Sequence, residues 1–140
     1  MADSRGHLVF ACGESLYAVP AERAQEVVSL PALTRVPGAP GHLLGVFAHR
    51  GEVIPVIDLG ALMGSKVEAA QRRAVLIRVS RGGLALTATR VAGVSVLQGS
   101  FEPLGTTGIQ AHLRGPAKAP AGDVAVIEPE GFFEFLSQGG

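Results

Sequence analysis

Leu43-Leu44-Gly45-Val46-Phe47-Ala48-His49-Arg50-Gly51-Glu52-Val53-Ile54-Pro55-Val56-Ile57-Asp58-Leu59 is the most legible stretch of the chain. Two apolar runs, 43–48 and 53–57, flank Arg50-Gly51. The pattern predicts a β-hairpin in which Gly51 supplies a positive φ to the turn. Gly45 is likewise read as a backbone requirement. Pro55 has no N–H to give a neighbouring strand, so it predicts an edge strand or a bulge. Asp58 can cap a short helix over 59–63 by accepting its free N–H groups. Gly64 can end that helix in a left-handed conformation.

Outward from this hairpin the same grammar repeats. Runs 8–12 and 16–19 around Gly13-Glu14 predict a first hairpin, and Pro20 opens a helical turn over 21–24. A strand follows at 26–30. Residues 31–41 hold three prolines and two glycines and read as an exposed connector. Residues 66–73 are polar and read as a surface connection between two halves. Runs 74–79 and 84–89 predict another hairpin around Arg81-Gly82-Gly83, and 91–97 continues the sheet. Residues 99–122 are rich in Gly, Pro and Ala and show no clear element. A last strand is expected at 124–127 and a short terminal helix at 132–136. Nineteen glycines and nine prolines separate short runs of Val, Ile, Leu and Phe, without long helical periodicity. This predicts an all-β chain of one or two small closed barrels.

Composition narrows the function. The chain has 140 residues, 47% of them hydrophobic, which suits one domain with an ample core. Twelve basic residues balance twelve acidic ones, so no positive field favours nucleic acid. There is no Trp, and Tyr17 is the one Tyr, which leaves poor stacking platforms for bases. The N-terminal residues lack the apolar core of a signal segment, and no apolar run is long enough to span a membrane. A soluble, cytoplasmic protein is expected, reaching a membrane only through a partner.

The residues that carry chemistry do not cluster. The histidines His7, His42, His49 and His112 show no metal-ligand spacing. Cys12 has no second cysteine, and in an apolar strand it reads as a small buried hydrophobe sooner than a nucleophile. Gly105-Thr106-Thr107-Gly108 lacks the lysine of a phosphate loop, and Ser15, Ser95 and Ser100 lack the flanking glycines of a nucleophile elbow. No enzyme, no metal and no cofactor are expected. Such scaffolds commonly work by binding.

A longer pattern goes further. Glu26-Val27-Val28, then Leu33-Thr34-Arg35-Val36-Pro37, Pro40, and the run from His42 through Leu59 together closely resemble the CheW-like domain. That family shows a strand ending in E-V/I, a V-P-type turn and a G-V-x-x-x-R-G-x-V-I-P-V-I-D-L hairpin. The resemblance continues more weakly through 74–79 with Gly83-Leu84-Ala85-Leu86, Phe101-Glu102-Pro103-Leu104, His112-Leu113-Arg114-Gly115, and 124–128 with 132–136. It departs at Ala48-His49, where the family often has Asn-Leu, and at Thr89 and Gly93, where it usually has acidic residues.

The resemblance implies a single CheW-like domain over 1–140, built as two five-stranded SH3-like barrels. First-half motifs at about 8–64 are assigned to one lobe and second-half motifs at about 74–136 to the other. It also implies a non-enzymatic adaptor that couples a chemoreceptor to a CheA-type histidine kinase in chemotaxis signalling. The receptor's cytoplasmic hairpin tip would dock in a groove between the lobes, and the kinase regulatory domain would pair lobe to lobe. Glu26, Val36, Leu44 and Arg50 are the candidate partner-binding residues, although Val36 and Leu44 read first as core and second as interface, and Glu26 has an ordinary solvated charge as its alternative. Gly45, Gly51 and Asp58 are candidates for structural turn or cap roles. For Arg50, bracing the turn and touching a partner weigh equally. The divergent second half points to a specialised adaptor that binds the kinase more weakly. A binding barrel with an unrelated partner stays open, as does a small-molecule or hydrolytic barrel using Cys12 or a histidine.

Overall fold

The computed structural model describes residues 5–65 and 72–138. Within them the chain runs β1 (Gly6–Cys12), β2 (Ser15–Pro20), a 3-10 turn (Ala21–Arg23), β3 (Ala24–Ser29), β4 (Leu43–His49), β5 (Glu52–Ile57) and α1 (Leu59–Leu62). It continues with β6 (Arg73–Val79), β7 (Gly82–Ala88), β8 (Arg90–Val96), β9 (Gln98–Gly99), a second 3-10 turn (Gly108–His112), β10 (Leu113–Ala119), β11 (Gly122–Ile127) and α2 (Pro129–Ser137). The class is all-β with short helices. Most of the connection expected over 66–73 lies outside the described residues; Arg73 already belongs to β6.

The strands form two sheets, in the orders β8-β1-β2-β11-β10-β9 and β3-β6-β7-β5-β4. This corrects the division into lobes of about 8–64 and about 74–136. The lobes interleave: β1 and β2 complete the sheet that holds the C-terminal strands, while β3 through β7 make the other. Contiguous halves cannot build these sheets, because β6 and β7 lie between β3 and β5.

The two sheets repeat one pattern. Leu8 faces Val19 across β1–β2, and Val75 faces Leu86 across β6–β7. Val126 lies beside Ala18 in parallel, and Val56 beside Ala85. Leu113 pairs with Ile127 as Leu43 pairs with Ile57. Even the irregularities match: β3 shifts register between Ala24 and Glu26, and β8 does so between Val91 and Gly93. Each lobe ends in a capped helix. Asp58 accepts from the Ala61 N–H, and Glu128 accepts from the Gly131 N–H. The Asp58 and Glu128 amides donate in turn to the carbonyls of His42 and His112.

Alternation in the strands sorts the apolar residues into three cores. One lobe encloses Val9, Ala18, Leu97, Ala117, Val124 and Val126. The other encloses Ile54, Val56, Ala74, Leu76 and Ala85. Between them lies a larger shared core, in which Phe10, Val19, Ile57, Val75, Ile77, Leu86, Ile127 and Phe132 are buried. Corresponding strands of both lobes supply it: Phe10 answers Ile77, and Cys12 answers Val79. Burying that much apolar surface between the lobes favours one fixed arrangement over two loosely tethered barrels.

Of the two alternatives for Pro55, the edge strand fails, since β5 lies between β7 and β4, while the β4–β5 ladder does shift register close by, between Leu43 and Gly45 opposite Ile57 and Val56. Pro55 faces Val46 of β4, and the parallel pairing with β7 begins only at Val56. Val46 spends its own N–H and C=O on Thr34, outside the β4–β5 pair. Pro55 therefore sits at a position of the ladder where no bond to β4 is due. Residues 99–122 also hold more than a loop. β10 crosses this stretch and tolerates Pro116 because its register breaks between Arg114 and Ala117.

Candidate functional site

The site grows from the turn between β4 and β5. His49 faces Glu52, leaving two residues to reverse the chain. Arg50 has φ 50° and Gly51 has φ 83°. Two consecutive left-handed residues make the type I′ turn that matches strand twist. Among the described residues Arg50 alone is a non-glycine with positive φ. A left-handed arginine costs about 1 kcal/mol relative to a right-handed one. A Cβ on Gly51 would meet open space, so what restricts that position is its φ.

The turn leans on β3. The Glu26 carboxylate takes His49 Nε2 at 3.1 Å and the Arg50 guanidinium at 3.4 Å, both on Oε1. The Arg50 side chain stays 71% exposed, against 30% for Glu26. Most of the guanidinium's donors thus face solvent while one edge rests on the acid. Glu26 lies within β3, next to its register shift, and so aims at the hairpin tip.

A second polar cluster stands beside the first. Arg78 on β6 grips Glu52 with two parallel bonds, 2.8 and 2.9 Å, and donates to Gln25 Oε1 at 2.9 Å. The Arg78 hydrogen bond holds the Glu52 carboxyl below its ordinary range, and Glu52 holds Arg78 up. Both groups are on the surface, so the effect on stability is small.

The other lobe supplies an internal comparison. By strand register, Glu26 answers Gly93, and the turn Arg50-Gly51 answers Pro120-Ala121. His49 answers Ala119 in the same way. The same barrel thus closes without the acid, the imidazole or the guanidinium. The Glu26–His49–Arg50 cluster is not a requirement of the fold.

The remaining candidates separate from this cluster. Val36, 41% exposed, and Leu44 line a cleft of about 540 Å³ beneath the connector, with Leu33, Arg35 and Pro40. Leu44 also packs on the core of its lobe. Gly45 has φ 154°, and a Cβ there would come within 2.6 Å of the Thr34 carbonyl oxygen. Glycine is what lets the connector lie against β4. Asp58 is occupied as the α1 cap. Among the described residues, exposed apolar sites that escaped the sequence reading are Leu104; Val53, 70% exposed beside the turn; and the pair Val94 and Val96 on β8. Period-two alternation in 90–96 would have shown the latter, had the inward side been known.

Cys12 is buried in the shared core, and burial pushes its thiol up, with the Asp58 carboxylate adding to the effect. A thiol held neutral there is a poor nucleophile. Among the described residues no group of three His, Cys, Asp or Glu side chains could hold a metal ion. No helix among the described residues is long and apolar enough to cross a membrane.

Comparison with known proteins agrees with this architecture. The CheW-like domain family matches residues 6–133. Protein FrzA of Myxococcus xanthus is 32% identical over 123 residues, covering 84% of this chain and 76% of FrzA. Chemotaxis protein CheW of Helicobacter pylori is 42% identical over 59 residues, 42% of this chain and 36% of that protein. The crystal structure of the scaffolding protein TtCheW from Thermoanaerobacter tengcongensis superposes with a TM-score of 0.80 at 25% identity, covering 94% of this chain and 88% of the other.

Proposed function

Because this chain belongs to the CheW-like domain family, a family of non-enzymatic chemotaxis scaffolds, we propose that it couples a chemoreceptor to a CheA-type histidine kinase in the cytoplasm. The partners are the receptor's cytoplasmic hairpin tip and the kinase regulatory domain. Contact with the membrane is indirect, through the receptor.

The observation that carries this reading is Arg50. It is held at a local cost in a left-handed turn, exposed, beside Glu26, on only one of two lobes whose hairpins match in register. Backbone strain at a solvated side chain is what a contact residue tolerates and a mere spacer avoids. Pro120-Ala121 closes the matching hairpin without it. This tips Arg50 from brace toward partner contact. Glu26 sets its direction, and Val53 adds exposed apolar area at its side. Val36 and Leu44 contribute a separate cleft under the connector.

Isothermal calorimetry against a receptor cytoplasmic hairpin fragment tests the reading. Wild type is expected to bind. Arg50→Glu reverses the charge facing the partner and is expected to weaken binding at least tenfold while the melting temperature holds. Absence of wild-type binding to receptor and kinase fragments from the same cell would overturn it, as would full affinity in Arg50→Glu.

A further inference from the structure

We propose that Arg78 is a positioning residue for the Arg50 turn: it clamps β3 to the start of β5, and so fixes the face that the hairpin presents to its partner. The proposal rests on the docking role of that hairpin and adds a residue outside it.

Gln25 and Glu26 are neighbours on β3, while Arg50 and Glu52 flank Gly51. β3 and β4 lie at opposite ends of the sheet order, so no ladder joins β3 to the hairpin. Two side-chain bridges do. One is Glu26 with His49 and Arg50. The other is Arg78, whose guanidinium holds both Glu52 oxygens and reaches Gln25. A planar fork with paired bonds fixes direction as well as distance, which a single ammonium cannot do. The Arg23 guanidinium touches the Arg78 carbonyl at 3.4 Å, so the clamp stands on the turn that links the two lobes.

The other lobe shows that the barrel does not need this clamp. Arg78 pairs with Gly83 as Ala11 pairs with Leu16. Gln25, at the register shift of β3, answers Ala92 at the shift of β8, and Glu52 answers Gly122. Arginine, glutamine and glutamate in one lobe stand where the other has alanine, alanine and glycine. All of this polar clamp lies on the lobe whose turn carries the exposed arginine. An exposed ion pair adds little to stability. What it does here is limit the motion of a two-residue turn whose arginine must point one way.

The test has two arms. In the free protein, ¹⁵N relaxation reads the order of the Gly51 and Glu52 amides. Arg78→Met is expected to lower it while the melting temperature changes by no more than about 2 °C. In the second arm, calorimetry against the receptor hairpin fragment is expected to show at least fivefold weaker binding for Arg78→Met. Arg78→Lys should fall between the two, and the swap Arg78→Glu with Glu52→Arg should recover most of the loss. Unchanged order at Gly51 in Arg78→Met would overturn the proposal. So would wild-type affinity in that variant, or a swap that recovers nothing. If the wild-type chain binds no receptor fragment, the docking role falls, and the relaxation arm alone decides whether Arg78 orders the turn.

Discussion

Gly51→Val is the sharpest probe of the hairpin. Gly51 has φ 83°, and a Cβ built there touches nothing within 4 Å. No clash can therefore account for an effect; only the backbone can. A β-branched residue at that φ is a genuine outlier. Holding it there costs about 2 kcal/mol. The alternative is to rebuild the turn, which splays β4 from β5 and loses the His49–Glu52 pairing. For a domain of this size each kcal/mol moves the melting temperature by about 4 °C, so the midpoint should fall by about 8 °C. Gly51→Asn, which tolerates left-handed φ, should lose much less. Circular dichroism melts of the three proteins decide the matter. Equal midpoints for Gly51→Val and wild type would refute the type I′ geometry and, with it, the orientation assigned to Arg50.

Three further outcomes are expected. Cys12 occupies the place that Val79 fills in the other lobe, so Cys12→Val should change stability by less than about 1 kcal/mol; a loss of about 2 kcal/mol or more in thermal melts would show that the site is not apolar. Glu130, which accepts from the Ser80 hydroxyl and amide and from Arg23, has its carboxyl held below the ordinary range by these bonds. A lowered folded-state pKa stabilises above the unfolded value and is lost as pH falls through the folded one. Wild type should therefore melt above Glu130→Gln at neutral pH, with the gap closing in the acid range; a gap that ignores pH would refute it. Finally, Thr89 is spent inside the fold, donating to the Ala11 carbonyl and accepting from the Gly13 amide, and Gly93 carries no charge. Calorimetry should show weaker binding to the kinase regulatory domain than a coupling protein with acids there, and equal affinity would sink that expectation.

Much of this molecule was legible because local rules suffice for its parts. Arg50-Gly51 between two apolar runs specifies a tight hairpin whatever surrounds it. Asp58 ahead of Leu59-Gly60-Ala61 needs only its own helix to act as a cap. The strands at 8–12 and 74–79 declare themselves by β-branched and aromatic content. What stayed hidden depends on pairing across long separations. No local signal says that β6 and β7 insert between β3 and β5, so the lobes were drawn along the chain instead of across it. Only the start of β10 showed, as the strand that His112-Leu113-Arg114-Gly115 resembles; Gly115-Pro116, a breaker that a register shift absorbs, hid the rest. Arg78 carries no mark in the sequence, because its partners Gln25 and Glu52 are distant along the chain.

The sequence also carries an internal repeat. His42-Leu43-Leu44-Gly45 leads to Val56-Ile57-Asp58, and His112-Leu113-Arg114-Gly115 leads to Val126-Ile127-Glu128. Self-similarity of this kind marks a repeated structural unit. Once it is seen, each lobe becomes the other's control. Positions that agree, such as Leu43 with Leu113 and Ile57 with Ile127, are those the shared core demands. Positions that differ in chemistry are free of that demand. Six of these, Gln25, Glu26, His49, Arg50, Glu52 and Arg78, are polar on one lobe and small or apolar on the other, whereas Ala48 and Val53 stand where the other lobe has the ion pair Lys118–Asp123. A polar group that the barrel does not need, held by bonds the barrel does not need, is best explained by something outside the barrel. That is why the adaptor reading rests on this hairpin tip and not on the clefts elsewhere on the surface.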